Sequence, residues 1–387
     1  MKTDRKHIKI IVAIFAASAM MASCNTLVPL LAKIRESFPE QSVSQVQMVF
    51  TLTSLVAVPT MLVSSALTRA FSKKALTAVS LLFMLVGGMI PVFVNETFWV
   101  LYVAAALIGV GMGILNVMSS ALVSDHFKGL DKGRVMGIQS IALSCGSALM
   151  SWLSGEIAKT AHWSRAMLVF LIAIPLLLVF LLFMPADSRT PIQPSGKAVY
   201  NRRLIFFVIL TLFWGLLYTS FQTNVAMFIE ETGYGDTAFA GVVSAVFMVI
   251  GIPCGLLMGP MIKLTKNKLL PLAILSAAAG MLCAAFAKGP VPIFIGSLLV
   301  GIAFGTYGPA SNTAAATMVP AEAAAAGIAL MKAVGHFGRF FSPKVLNAVS
   351  ELFGGGFRKV FLVGGVGLAI LGAVFLIFNP VKDEDLL

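Results

Sequence analysis

The chain has 387 residues, of which 58% are hydrophobic and 11% charged, with a mean hydropathy of +0.94 and a net charge of +12. Soluble domains carry about 25% charged residues, so this chain cannot cover a water-soluble globule of its size. It is predicted to be an all-α integral membrane protein. The positive charge does not indicate nucleic acid, because the basic residues form short clusters between apolar runs rather than one patch.

Apolar runs of about 20 residues, enough to cross about 30 Å of hydrocarbon as a helix, predict twelve transmembrane helices. The first run has a basic start, as signal peptides do, but it is too long for one and is predicted to stay as an uncleaved helix. The predicted helices cover residues 8–31, 44–68, 75–94, 98–124, 134–157, 165–184, 204–229, 237–262, 268–288, 290–316, 324–348 and 360–380.

The longest connection, PADSRTPIQPSGKAVYNRR over residues 185–203, is hydrophilic and follows the sixth predicted helix. It predicts a cytoplasmic linker between an N-terminal six-helix bundle, 1–184, and a C-terminal six-helix bundle, 204–387. Of the 28 Lys and Arg residues, 18 lie in segments on the side of the N-terminus and seven on the other side. This bias predicts that both termini are cytoplasmic and that the chain is a multi-pass protein of the cytoplasmic (inner) membrane.

The two predicted bundles resemble each other in sequence. SCNTLV (23–28) is similar to SFQTNV (220–225), and GVGMG (109–113) is similar to GIAFG (301–305), at offsets that change slowly along the chain. Such matches predict two six-helix pseudo-repeats. Parallel repeats joined by a linker are a transporter architecture whose binding site lies between the halves, near the middle of the membrane.

Two basic loops follow the second and eighth predicted helices, SALTRAFSKK (65–74) and GPMIKLTKNK (259–268). They are similar to the two copies of the cytoplasmic signature of the major facilitator superfamily, which the whole chain resembles. HWSRAMLVF (162–170) and GHFGRFFSP (335–343) resemble further segments of bacterial members. The resemblance implies the family's fold, and it implies gating loops with the basic residues Arg69, Lys73, Lys74, Lys263 and Lys268.

The chain also departs from the family pattern. Arg69 and Lys263 stand where the signature has an acidic residue. Proton-coupled drug exporters of the family carry an arginine at the position of Ala105, and a Gly-Pro pair where this chain has Gly146 and Ser147. The first departure removes an acidic residue that helps to lock the cytoplasmic gate in the family. The other two weaken the hypothesis of drug efflux.

The eleventh predicted helix carries Lys332, His336 and Arg339 at spacings i, i+4 and i+7, which places them on one helical face. At about 1.5 Å per residue, all three lie within about 6 Å of the helix middle. A cation facing lipid there costs at least about 2.5–3.5 kcal/mol, so this face is predicted to line the bundle interior. No acidic residue lies near the middle of a predicted helix. The cavity is therefore predicted to attract an anion, with Arg339 as its first binding residue.

On the basic face, His336 is the candidate proton carrier, because histidine has an ordinary pKa near neutrality.

Polar side chains on other helices can complete the binding site. These further candidates for substrate binding are Asn25, Asn116, Gln222, Asn224, Tyr307 and Asn312. Each of them could instead form an interhelical hydrogen bond.

The leading hypothesis is a secondary active transporter that moves a small organic anion, such as a carboxylate, by alternating access. The alternative is a proton-coupled efflux antiporter for drugs or amphipathic compounds, for which the 20 Met and 29 Phe residues could form an adaptable cavity. An intramembrane enzyme has little support, because the four histidines are scattered and no HExxH motif occurs. We expect no cofactor or metal, protons as the coupling ion, and a monomer in contact with membrane lipids.

Overall fold

The computed structural model describes residues 5–127, 129–185, 201–320 and 323–382. These residues form twelve membrane-length helical segments, α1 to α12, and no strand lies among them. The continuous segments are α2 (Val43–Leu67), α3 (Lys73–Phe93), α4 (Trp99–His126), α5 (Gly129–Thr160), α7 (Arg202–Thr232), α9 (Leu269–Ala285), α10 (Pro290–Thr317), α11 (Ala324–Glu351) and α12 (Phe357–Ile377).

The other three segments are interrupted, where the sequence had predicted continuous helices. The first, α1, contains a 3-10 stretch with Pro29 inside it, a residue that cannot donate a backbone hydrogen bond. The pieces of α1 are Arg5–Ser18, Ser23–Leu30 and Leu31–Ser37; those of α6 are Trp163–Ala166, Met167–Ile172 and Ala173–Phe183; those of α8 are Thr237–Val249, Gly251–Leu256 and Met258–Thr265.

Local sequence signals explain several helix ends. Ser42 and Gln45 form a capping box at the start of α2, and Asn201 accepts from the backbone N–H of Leu204 at the start of α7. Gly233 ends α7 in the left-handed conformation that a glycine adopts without strain. The seventh helix thus begins at residue 202, two residues before its predicted start.

Eleven helices of the described chain are long and apolar enough to cross a membrane. Large apolar side chains such as Leu62, Phe93, Leu182 and Leu264 are more than 60% exposed on the outside of the bundle, as expected of a surface that faces lipid. Although α11 has 28 residues, as many as α10, it is not among the eleven. It carries the basic residues Lys332, His336, Arg339 and Lys344.

The helices form two halves, α1–α6 and α7–α12, as the pseudo-repeats predicted. Across the interface, α2 packs against α11, α5 against α8, and the 3-10 stretch of α1 against α7 and α8. The start of α1 at Arg5 and the end of α12 at Ile377 lie at the same end of the bundle, here called the terminal end. The opposite end is called the far end. The predicted linker remains a prediction, because residues 186–200 lie outside the described part of the chain.

Candidate functional site

A central cavity of about 260 Å³ lies between the two halves. Its size is just below the range of about 300–1,000 Å³ that is typical of pockets for drug-sized ligands, so it suits a small molecule. The wall from the first half is uncharged. It consists mainly of Met21, Ala22, Cys24, Asn25, Ser54, Ala57, Met61, Met112, Asn116 and Leu143.

The basic side chains of the cavity all come from α11. Lys332, His336 and Arg339 line it together, as their spacing predicted. Lys332 is exposed to the cavity, whereas His336 and Arg339 are half-buried. The Nδ1 atom of His336 and the Nε atom of Arg339 are buried without a hydrogen-bond partner among the described residues.

Among the described residues, no carboxylate lies at the cavity wall to balance these cations. The residues that line the cavity include no Asp or Glu. The ion pairs found between described residues all lie outside the cavity, and none of them involves Lys332 or Arg339. The cavity wall is therefore electropositive.

Close packing of α7 on α11 brings the basic face to the cavity. A Cβ atom added at Gly215 would come within 3.0 Å of the carbonyl oxygen of Gly335, and one added at Gly338 would come equally close to that of Leu212. Only glycine allows the two backbones to approach in this way. The crossing turns the face next to these glycines, which includes Arg339, toward the cavity.

A stack of aromatic rings lies beside Arg339. Trp214 stacks on Tyr218 with ring centroids 4.8 Å apart, and on Tyr307 with centroids 4.4 Å apart. The guanidinium carbon of Arg339 lies 5.7 Å from the centroid of the Tyr218 ring, within the range of a cation–π contact. Thr211 holds the stack in place through a 3.0 Å hydrogen bond to the Tyr307 hydroxyl. These rings form a fixed platform for the guanidinium.

The two pseudo-repeats meet in a pair of amides at the cavity wall. Gln222 donates from Nε2 to Oδ1 of Asn25 at 3.2 Å. These residues occupy matching positions of SFQTNV and SCNTLV. Asn25 in turn donates to Ser147 Oγ at 2.9 Å and to the Ala22 carbonyl at 3.1 Å.

A hydrogen-bond network joins the halves at the far end. Gln47 of α2 donates to Asn224 Oδ1 at 2.7 Å and accepts from Asn347 of α11 at 2.8 Å. Asn347 also donates to Ser44 at 3.0 Å, and the Thr51 hydroxyl donates to the Phe340 carbonyl. These contacts close the bundle just beyond Arg339.

Two ion pairs also connect the halves at the far end. Lys159 of α5 lies 3.0 Å from Asp236, which caps α8, and Lys33 lies 3.9 Å from Glu230. A hydrogen bond from the backbone N–H of Phe239 and the Lys159 ammonium lower the pKa of the Asp236 carboxyl below its ordinary value. The far end is closed in this conformation.

The structure brings most of the predicted binding residues together. Besides the basic face, Asn25, Asn116, Gln222, Tyr307 and Asn312 line the cavity. Asn224 does not. It is fully buried in the far-end network, because its side chain lies two positions further along α7 than Gln222 and faces Gln47 of α2. In this conformation Asn224 therefore lies outside the cavity, and its role in substrate binding stays a prediction.

Two basic residues of the predicted gating loops make contacts within the first half. Lys73 is buried and pairs with Asp125 of α4 at 2.5 Å, and Lys74 donates to the carbonyls of Leu181 and Met184, all within the first half. The remaining three predicted gating residues are exposed: Arg69, Lys263 and Lys268.

The sequence interpretation missed Trp214 and Tyr218. Both line the cavity, with Thr211 and Gln222 on the same helix. Their spacing over positions 211, 214, 218 and 222 follows one face of a helix, so a reading of α7 outward from Gln222 could have found them. Met248 and Met331 were also missed, since methionine is common on lipid-facing surfaces as well.

Comparisons with known proteins agree with this architecture. A family model described as Major Facilitator Superfamily matches residues 10–343 and again 239–385. Among curated proteins, the sphingosine-1-phosphate transporter SPNS2 of Danio rerio is 25% identical over 179 residues. That match covers 44% of this chain but only 35% of the relative. This chain therefore spans about a third of the length of the relative.

Two solved structures superpose on nearly the whole chain. The nucleoside transporter NupG does so with a TM-score of 0.78 at 13% identity, covering 96% of this chain and 100% of the other. A D-xylose-proton symporter does so with a TM-score of 0.73 at 15% identity, covering 97% and 98%. At such identities the likeness concerns the fold.

Proposed function

The chain belongs to the Major Facilitator Superfamily of secondary transporters, and on this premise we propose that its central cavity carries a small organic anion by alternating access. The protein is a multi-pass membrane transporter and not an enzyme. The proposed route runs across the cytoplasmic membrane, with the terminal end in the cytoplasm and residues 185–203 linking the two moving halves.

The observation that carries the proposal is the unpaired state of Arg339. Arginine stays charged at every accessible pH, and this one has a buried Nε atom without a partner and no carboxylate nearby among the described residues. A buried cation without a counter-charge is costly. A carboxylate or phosphate can neutralise it through two parallel hydrogen bonds. Lys332 and His336 extend the same attraction toward the terminal end.

The closed far end supports alternating access. In this conformation hydrogen bonds and an ion pair join the two halves beyond Arg339, at the far end. Transport requires these contacts to break while others form at the terminal end. With the predicted orientation, the described conformation opens toward the cytoplasm.

We propose His336 as the proton carrier. It is the one cavity residue that titrates near neutral pH in water, and its Nδ1 atom is unpartnered in the described chain. A protonated His336 would add to the attraction for an anion, so anion and proton would enter together. The D-xylose-proton symporter shares the fold, which is consistent with proton coupling on this scaffold.

The test is anion uptake into proteoliposomes. Arg339→Gln is expected to abolish uptake while folding is retained, because removing a half-buried cation without a counter-charge relieves a desolvation cost. Arg339→Lys should keep part of the activity, because an ammonium lacks the planar two-pronged donor. Lys344→Gln is the matched control: it removes a cation from the same helix outside the cavity, and uptake should persist. Unchanged uptake by Arg339→Gln would overturn the proposal.

A second variant tests the coupling. His336→Gln should lose its response to an imposed proton gradient while anion exchange continues. A gradient response equal to that of the unaltered protein would remove His336 from the mechanism without affecting the role of Arg339.

The methionines in the cavity wall of the first half favour a second candidate function, the transport of amphipathic compounds. Met21, Met61 and Met112 line the cavity, and methionine adapts to irregular apolar ligands. The relative from Danio rerio is named for sphingosine-1-phosphate, a lipid whose phosphate could also pair with Arg339. Thermal stabilisation of the purified protein by lipophilic cations but not by anions would select drug efflux over anion transport.

A further inference from the structure

The hydrogen-bond partners of Gln222 leave its amide oxygen without a donor. The Asn25 amide nitrogen lies 3.1 Å from the carbonyl oxygen of Ala22, which can only accept. This contact makes Oδ1 the free acceptor of Asn25, so Gln222 must present its NH₂ group to Asn25. The Oε1 atom of Gln222 is then buried and accepts no hydrogen bond from the described residues. The chain of contacts from a backbone carbonyl thus sets which way this amide points.

Two further amides at the cavity have unused oxygens. Asn116 of α4 donates from Nδ2 to the Met112 carbonyl at 2.9 Å, and the same reasoning leaves its Oδ1 as a free acceptor. Oδ1 of Asn312 on α10 is buried and receives no hydrogen bond in the described chain. The cavity is therefore lined by amide acceptors on three helices and by unpartnered donors on α11.

The acceptors need donors, and the charge of the cavity limits what those donors can be. A buried polar atom left unpaired costs free energy that a ligand can recover. An ammonium group could donate, but it would lie among Lys332, His336 and Arg339 with no carboxylate in the lining. Like charges at such distances repel. Uncharged O–H groups can donate without this repulsion.

We infer that the substrate is a hydroxyl-bearing organic anion, whose anionic group binds the basic face of α11 and whose hydroxyl groups bind the amide oxygens of Gln222, Asn116 and Asn312. This inference rests on the proposed anion transport and narrows its substrate class. It distinguishes hydroxy acids and sugar acids from simple carboxylates and from amino acids.

The experiment compares matched ligands on the purified protein by thermal shift and by competition for uptake. Three size classes are used, each as an anion with and without hydroxyl groups: lactate with propanoate, glucuronate with cyclohexanecarboxylate, and 3-phenyllactate with 3-phenylpropanoate. Alanine and phenylalanine present an ammonium at the same carbon, and glucose presents hydroxyls without charge.

In the size class that fits the cavity, the hydroxylated anion should bind about tenfold more tightly than its partner, the factor expected of one net hydrogen bond. The amino acid and glucose should bind more weakly than either anion. Equal binding within every pair, or preference for the amino acid, would overturn this inference alone. Failure of every anion to bind would instead overturn the proposed anion transport.

Variants identify the residues responsible. Asn116→Leu and Asn312→Leu keep a similar side-chain volume but remove the acceptor, so each should reduce the ratio of affinities between the paired ligands. Asn95→Leu is the control, because it makes the same change in a loop at the far end, outside the cavity. An unchanged ratio in both cavity variants would contradict the assignment, and thermal unfolding verifies that each variant folds.

Discussion

The contact between α5 and α8 at the far end gives a direct test of the closed conformation. A Cβ atom added at Gly155 of α5 would lie 2.6 Å from the Thr237 carbonyl oxygen and 2.8 Å from the Cα atom of Gly241. Real Cβ atoms essentially never come within 3.0 Å of another heavy atom, and ordinary contacts begin at 3.4 Å. Gly155→Ala must therefore force the two helices apart by about 0.4–0.8 Å at this point. Both partner atoms belong to backbone and cannot rotate away.

Overpacking of this kind costs about 1–3 kcal/mol. The cost falls on the conformation with a closed far end, because α5 and α8 belong to different halves. A shift of about 1.4 kcal/mol changes a population ratio about tenfold. Gly155→Ala should therefore increase the fraction of molecules that are open at the far end.

Gly137→Ala is the matched control on the same helix, because nothing lies within 4 Å of a Cβ atom at Gly137. Spin labels at Glu96 and Lys288, in far-end loops of the two halves, report the separation by pulsed dipolar spectroscopy. We expect a longer mean distance in Gly155→Ala only. Identical distance distributions and melting temperatures in the two variants would refute the close contact between α5 and α8.

Three further perturbations test the site and its closure. Asp236→Asn should open the far end, because it removes the ion pair with Lys159. The pKa of Asp236 is lowered, so this pair is intact above the ordinary aspartate value of about 3.9. It is lost only as the pH falls through the lowered pKa. The same spin-label distance should thus be constant from pH 8 to pH 5. Gln47→Leu should lower the thermal stability by about 1–3 kcal/mol, because it leaves buried partners unpaired. Tyr218→Leu should raise the KM for anions several-fold by removing the platform of Arg339, whereas Tyr218→Phe retains the ring and should transport normally.

Each of these expectations can fail separately. A spin-label distance in Asp236→Asn equal to that of the unaltered protein would mean that the ion pair does not contribute to closure. Full stability of Gln47→Leu would contradict the buried network. Equal loss of uptake in both Tyr218 variants would indicate that the hydroxyl group, rather than the ring, supports transport.

The amino-acid sequence determined the membrane class, the twelve helices and the two halves. These features follow from hydrophobicity over windows of about 20 residues and from local repeats. It also determined that Lys332, His336 and Arg339 share a face, because that follows from the helical period alone. The functional role of this face remains a prediction.

Only the tertiary structure decided which side chains from different helices meet. The sequence does not distinguish Gln222, at the cavity wall, from Asn224, two residues further along and buried at the far end, because the rotation of α7 is set by its neighbours. The same holds for the contacts of Lys73 and Lys74 inside the first half. It holds above all for the unpaired amide oxygen of Gln222, since the orientation of this amide depends on Asn25, which lies 197 positions away in the sequence.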